Sequence, residues 1–370
     1  MKRDLERIAI PGEHEARERA WRVVEAAFVE REGVERRSRR WRIALSIGGA
    51  TAAVLAVMSS PGRAVLDDIR AVVGVERAEP ALFSLPAKGR LLVASDAGIW
   101  VVQHDGSKRL LGRYREGSWS PFGRFVVVSR ENELAALEPD GNIRWTLSRR
   151  NVSSPRWTGT AADTRIAYVD RTGIRVVAGD GTGDRLLVRA GSGPLAWRPG
   201  PRFVLAYSAL GSVRVVDATS GRMLWSARLP QGSATGIEWS ADGRRLLVLS
   251  PHHLRLYDDR GRLVGREDPS EGWPDVAATF RPDTREPTVA RLHGSQSSAY
   301  LLSGPTLFSG TGAFDRLAWS PDGRWLVVGW PTADQWVFVR ATGARRIQAV
   351  SNVSEQFRSR SLPRIEGWSR

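Results

Sequence analysis

Five histidines (His14, His104, His252, His253 and His293) are the first residues to weigh for chemistry, and they fall on separate segments of the 370-residue chain. Catalysis and metal binding both need titratable groups gathered at one point. His252-His253 follows Ser250-Pro251 at a strand-to-strand turn and reads as a solvated pair rather than a metal site. No Gly-x-Ser-x-Gly elbow, His-Glu-x-x-His pair or EF-hand loop is present. The glycine-rich stretches 179–183 and 191–193 lie in turns instead of opening a helix, so they do not read as phosphate cradles. Asp in the Asp-Gly turns reads as a structural residue, not a calcium ligand. The chain has no cysteine, which excludes disulfides, thiol catalysis, Cys-ligated zinc, iron–sulfur clusters and a lipoprotein anchor. The sequence therefore assigns no catalytic residue, no cofactor and no metal, and the expectation is a protein that is not an enzyme.

The fifteen tryptophans carry more information. Trp119, Trp157, Trp197, Trp239, Trp319 and Trp368 recur before a turn and an apolar run, and read as core. Trp145 and Trp225 stand in last strands after a Gly turn and read as core too. Trp273 and Trp330 flank Pro in predicted loops, which makes them the candidates for surface anchors, since exposed Trp is enriched at interface hot spots.

The elements around these tryptophans repeat. WSPDGRWLVV stands at 319–328, WSADGRRLLV at 239–248 and WSPFGRFVVV at 119–128. Weaker copies begin at Trp157, Trp197 and Phe280, and a seventh, LPAKGRLLVAS, at Leu85. Successive starts lie 34, 38, 40, 42, 41 and 39 residues apart. A period of about 40 residues marks propeller blades of four strands each. Pro fixes φ and Asp-Gly supplies the tight turn, so each copy reads as a strand, a hairpin and an apolar strand. Residues 364–369 read as a first strand with its Trp-Ser but no Pro-Asp-Gly after it, while the copy at Leu85 starts at the turn. Together they make one blade. The expectation is an all-β, seven-bladed β-propeller over residues 81–370, closed by N- and C-terminal strands; six or eight blades also fit, because the copies at 85 and 280 are degenerate.

On these motifs, residues from about 81 onward resemble the TolB-type and WD-repeat-like propellers of bacteria. That resemblance implies a rigid platform for binding other proteins. The phrase VDATSGRMLW at 216–225 is also similar to the repeat of quinoprotein propellers, which often carry a vicinal Cys pair that this chain lacks.

The remainder of the chain reads differently. Residues 43–62 contain no charge, and Arg36, Arg37, Arg39, Arg40 and Arg42 stand immediately before them. The segment reads as one transmembrane helix, short against the usual twenty or so apolar residues, with the N-terminus held in the cytoplasm by the positive-inside rule. A cleaved signal peptide would have a basic region 42 residues long, and a buried core helix would have five arginines crowding its entrance. Residues 1–42 read as a cytoplasmic segment with an amphipathic helix, its apolar side formed by Trp21, Val24 and Phe28. An isolated helix cannot bury such a stripe alone, so these three are candidates to hold a cytoplasmic protein. Residues 63–80 read as a short juxtamembrane helix over 61–75 followed by a linker.

The net charge of +15 then loses its first meaning as a sign of nucleic-acid binding. Only three lysines are present, and the arginines are scattered through turns. The strongest basic cluster abuts the apolar segment, and the rest would face the outside of the cell membrane, where DNA is absent. The function expected is a single-pass, membrane-anchored, non-catalytic β-propeller of the bacterial envelope, binding a protein or an anionic envelope polymer. Two alternatives are a transmembrane signalling regulator of anti-sigma type with the propeller as sensor, and a propeller enzyme acting on glycans or peptides.

Overall fold

The computed structural model describes residues 84–370, apart from 231, 252, 268–274 and 283, together with the strand Val75–Glu79. The segments 1–42 and 43–62 lie outside the described residues, as does most of 63–80. No helix among the described residues is long and apolar enough to cross a membrane.

Seven antiparallel sheets follow one another around a ring, which are here called blades 1 to 7. Blade 2 shows the plan: Glu116–Trp119 innermost, then Val126–Arg130, Glu133–Leu137 and Ile143–Ser148 outermost. Blades 3 to 7 begin with Ser153–Gly159, Ser192–Trp197, Gly236–Trp239, Asp275–Phe280 and Arg316–Trp319. Blade 1 takes its innermost strand from the other end of the chain. Arg364–Ser369 pairs with Arg90–Ser95, placing Ser369 opposite Arg90 and Trp368 opposite Leu91. The degenerate copies at 85 and 280 are thus full blades, and the count is seven.

Second strands are covered on both faces by neighbouring blades, which is why they read as unbroken apolar runs. Every residue of Val204–Ala209 and of Trp325–Trp330 is buried. The outermost strand of blade 2 alternates from Arg144 onward, with Arg144, Thr146 and Ser148 exposed and Trp145 and Leu147 half-buried. Seven apolar clusters hold the ring, one between each pair of consecutive blades. The repeat tryptophans sit in these seams. Trp239 packs with Ala206 and Val215 of blade 4, and Trp319 with Ala290 and Phe308 of blade 6.

An arginine latches three of the seams. Arg198 donates from Nε to the carbonyl of Gly243 at 2.7 Å and lies over the Trp239 ring at 5.5 Å. Arg281 does the same to Gly323 and Trp319, at 2.9 and 5.3 Å. Arg90 reaches Gly123 and Trp119, at 2.5 and 5.0 Å. Each pairing closes a carbonyl left open by the turn and covers an aromatic face with a cation. The turn aspartates are structural. Ser240 Oγ donates to Asp242 Oδ1 at 2.7 Å, the Arg244 amide donates to the same oxygen, and Ser320 and Asp322 repeat the first contact at 2.5 Å. Against the desolvation that alone would raise it, the hydrogen bonds from Ser240 and Arg285 bring the Asp242 carboxyl down to about 2.

One feature differs from the sequence reading. Val75, expected at the end of a helix, opens the strand Val75–Glu79, which pairs in parallel with Ile347–Ser351 and makes blade 7 five-stranded. The outer edge of a sheet carries a row of unpaired N–H and C=O groups, which an extended segment can satisfy. The propeller sheet therefore starts at Val75 and not at 81.

Candidate functional site

The seven innermost strands pack side by side around the axis, each against the first strand of the next blade. They enclose a channel of about 640 Å³. The residue just before six of the seven repeat aromatics belongs to this lining: Ser118, Arg156, Glu238, Thr279, Ala318 and, with its Cβ missing, Gly367; the seventh, Ala196, packs in the seam between blades 4 and 5. Glu116, Arg316, Arg364 and Glu366 add charge to the wall. A closed ring forces this, because one face of every innermost strand has no other blade to meet.

Most of the charged groups are already held. Glu116 accepts from the Ser154 amide, which ties blade 2 to blade 3. Glu366 pairs with Arg364 at 3.3 Å, and Arg364 also donates to the Arg115 carbonyl at 3.2 Å. Arg156 donates to the neighbouring Pro155 carbonyl at 2.8 Å. Arg316 is exposed at one mouth.

Glu238 stands apart. Its Oε1 accepts from the Phe280 amide and from the Thr279 hydroxyl, both at 3.1 Å. Burial pushes its carboxyl up to about 7, and these two donors only partly offset that. Near neutral pH the group is poised between an acceptor of positive charge and a neutral donor. The folded value lies above the unfolded one of about 4.3, so its contribution to stability is complete below about pH 4 and is lost as pH rises through 7. Glu238→Gln should abolish up to about 3 kcal/mol of that loss. Thermal unfolding at pH 5 and pH 8 reads it: the variant gains on the parent protein at pH 8 and not at pH 5, and equal pH profiles would show Glu238 titrating normally.

Chemically, this lining offers hydrogen bonds and charges of both signs to a polar group entering the axis. Among the described residues, no group of three His, Cys, Asp or Glu side chains could hold a metal ion. His104 binds the Ala87 carbonyl at a rim turn, and His253 and His293 belong to strands outside the channel wall.

The residues singled out from sequence are elsewhere. Trp21, Val24, Phe28 and Trp273 lie outside the described residues. Trp330, read as a surface candidate beside Pro331, is fully buried. It is the last residue of its strand, and its side chain turns toward blade 6, where Phe308 and Phe314 meet it edge-on at 5.5 and 5.7 Å. Its indole donates to the Thr311 carbonyl at 2.7 Å. A Cβ on Gly310 would come within 2.6 Å of that ring, so the glycine leaves its space to the indole. Trp145 and Trp225 are half-buried under the Asp-Gly turns of the next blades, with indoles donating to Gly179 and Asp259 carbonyls.

No protein-family model matches the chain, and no curated protein matches it. Among solved structures it is similar to the β-propeller domain of Cps50 (Swd1) from Myceliophteria thermophila. The identity is 12% and the TM-score 0.53, over 66% of this chain and 94% of that one. Such a likeness speaks for the fold and not for the activity. Taken with the seven sheets, it makes the described region a seven-bladed β-propeller.

Proposed function

We propose that this chain is a membrane-anchored, non-catalytic β-propeller of TolB-like kind, acting outside the cytoplasm as a platform that binds a protein or an anionic envelope polymer. The observation that carries the reading is the closed ring itself, sealed by Arg364–Ser369 and opening on the axis through a polar, charged channel. A closed propeller presents loops and a channel on a scaffold whose sheet edges are short and protected, which suits recognition. The anchor rests on residues 43–62 and the five arginines before them.

The chain lacks cysteine, so single-cysteine variants report location without background. Leu210→Cys places a thiol at a turn tip that is 94% exposed, and Glu18→Cys places one before the apolar segment. In intact bacterial cells making the full chain, a membrane-impermeant maleimide should label Cys at 210 and leave Cys at 18 unlabelled until permeabilisation. A propeller labelled only after lysis would overturn the extracytoplasmic reading.

A further inference from the structure

Six charged side chains line the axial channel, Glu116, Glu238 and Glu366 against Arg156, Arg316 and Arg364, so its wall carries no net charge. Four of them are already placed. Glu366 pairs with Arg364 at 3.3 Å, Glu116 holds the Ser154 amide, and Arg316 lies exposed at a mouth. Glu238 and Arg156 remain, and each stands one residue before the repeat tryptophan of its blade. The ring therefore sets them at one level of the channel.

Each of the two is only half satisfied. Glu238 accepts from Phe280 and Thr279 at Oε1; no donor among the described residues reaches Oε2, which borders the channel. The Thr279 hydroxyl gives its proton to Glu238, so its lone pairs stay free to accept. Arg156 is fixed from behind, its carbonyl accepting from the Trp197 indole at 2.9 Å. Its guanidinium donates to the Pro155 carbonyl and meets no carboxylate among the described residues. Beside it on blade 2, Ser118 Oγ is 3.4 Å from both the Trp119 carbonyl and the Trp157 amide. Both contacts are long, which leaves that hydroxyl a donor for a better acceptor.

The two corners face each other across the axis. Blades 2 and 3 are separated from blades 5 and 6 by blade 4 on one side and by blades 7 and 1 on the other. Burial pushes the Glu238 carboxyl up and no cation stands close enough to lower it, so Arg156 does not neutralise it across the gap. A charge facing a confined site without a partner is costly, and a guest that brings both opposite charges relieves both corners at once. A lone anion or cation would leave the other corner unpaired. The channel volume of about 640 Å³ falls in the range of about 300–1,000 Å³ usual for small-molecule sites.

We infer that the channel binds a small linear zwitterion, with its ammonium on Glu238 and Thr279 and its carboxylate on Arg156 and Ser118. This goes beyond the platform reading and does not depend on the anchor. The test is calorimetric titration of the purified full chain at pH 8, where the Glu238 carboxyl is ionised. The probes are 4-aminobutyrate, 6-aminohexanoate and triglycine, with butylamine and butyrate as controls of one charge each. One probe should bind at least about tenfold tighter than both controls, as expected when neither partner of a buried charge pair is missing. An ω-amino acid binding best makes the guest a free amino acid, and triglycine binding best makes it a short peptide. Glu238→Gln and Arg156→Met should each weaken that probe by at least about tenfold. Thr279→Val and Ser118→Ala test the same two corners by deleting one hydroxyl, with smaller losses. Butylamine or butyrate binding as tightly as the best probe overturns the zwitterion. A probe whose affinity survives both Glu238→Gln and Thr279→Val sits elsewhere, which overturns the site. No saturable binding of any probe overturns the inference and leaves the maleimide result on the anchor untouched.

Discussion

Ending the chain after Pro363 is expected to leave no soluble monomeric propeller. The lost residues form the innermost strand of blade 1, whose partners run from Arg90 to Ala94. Its ladder bonds contribute about 1 kcal/mol each, and burial of Ile365 adds about 2 kcal/mol. The sum is on the order of 5–8 kcal/mol, against a total stability of about 5–15 kcal/mol for a domain. Removal also opens a sheet edge at the axis and uncovers Leu91, Leu92 and Val93, all inaccessible in the closed ring. Such an edge is a template for pairing with another chain, so aggregation should accompany the loss. Gel filtration of the expressed truncation checks this. A circular permutant that places residues 364–370 directly before Ala87 should restore a monomer, because Ser369 already abuts Gly89 in the ring. A soluble, cooperatively melting truncation would show that blade 1 closes without its borrowed strand.

The blades were legible because everything that makes them is local. Trp-Ser-Pro-Asp-Gly carries its own turn chemistry, and the apolar run after it is long enough to declare a strand covered on both faces. Closure was legible for the same reason: Trp368-Ser369 is half of the motif and Lys88-Gly89-Arg90 the other half. Trp330 was misread because Pro331 marks a turn, whereas the ring's position depends on alternation within a strand and on the space left by Gly310 in another blade. Val75–Glu79 was missed because its strand form comes from the edge of Ile347–Ser351, far along the chain. The channel set was hidden in a simpler way. The residue before each repeat aromatic varies from Ser118 to Arg156 to Glu238, and no single copy shows that it faces an axis. Stacking the copies by blade would have revealed the position, though not the burial that raises the Glu238 carboxyl.

Asp184→Asn should be the most damaging single substitution among the charged residues of blade 3, costing about 3 kcal/mol. The carboxylate is 7% exposed and receives two arginines and a tyrosine. Arg149 reaches it at 2.6 Å from the end of blade 2, Arg175 at 2.7 Å from within blade 3, and the Tyr168 hydroxyl at 2.8 Å. Desolvation alone would raise its pKa, but the hydrogen bonds from Arg175, Tyr168 and Arg149 hold it below the ordinary carboxylate range. Its stabilisation is therefore present above about pH 4 and is lost as pH falls below that. Asparagine keeps the shape and removes the charge, which leaves Arg175 buried beside no full anion except Asp170, at 3.7 Å. Breaking one partner of a buried network is costly for that reason, while the exposed pair Arg130–Glu133, at 2.7 Å, should be worth well under about 1 kcal/mol. Urea unfolding of Asp184→Asn and Glu133→Gln at pH 7 separates the two cases, and the deficit of Asp184→Asn should shrink at pH 3. Adding Arg175→Met to Asp184→Asn should recover part of the loss by replacing a cation that has lost its nearer carboxylate with an apolar chain of similar length. If the double variant were weaker than the single one, Arg175 would be held by its packing and not by the carboxylate.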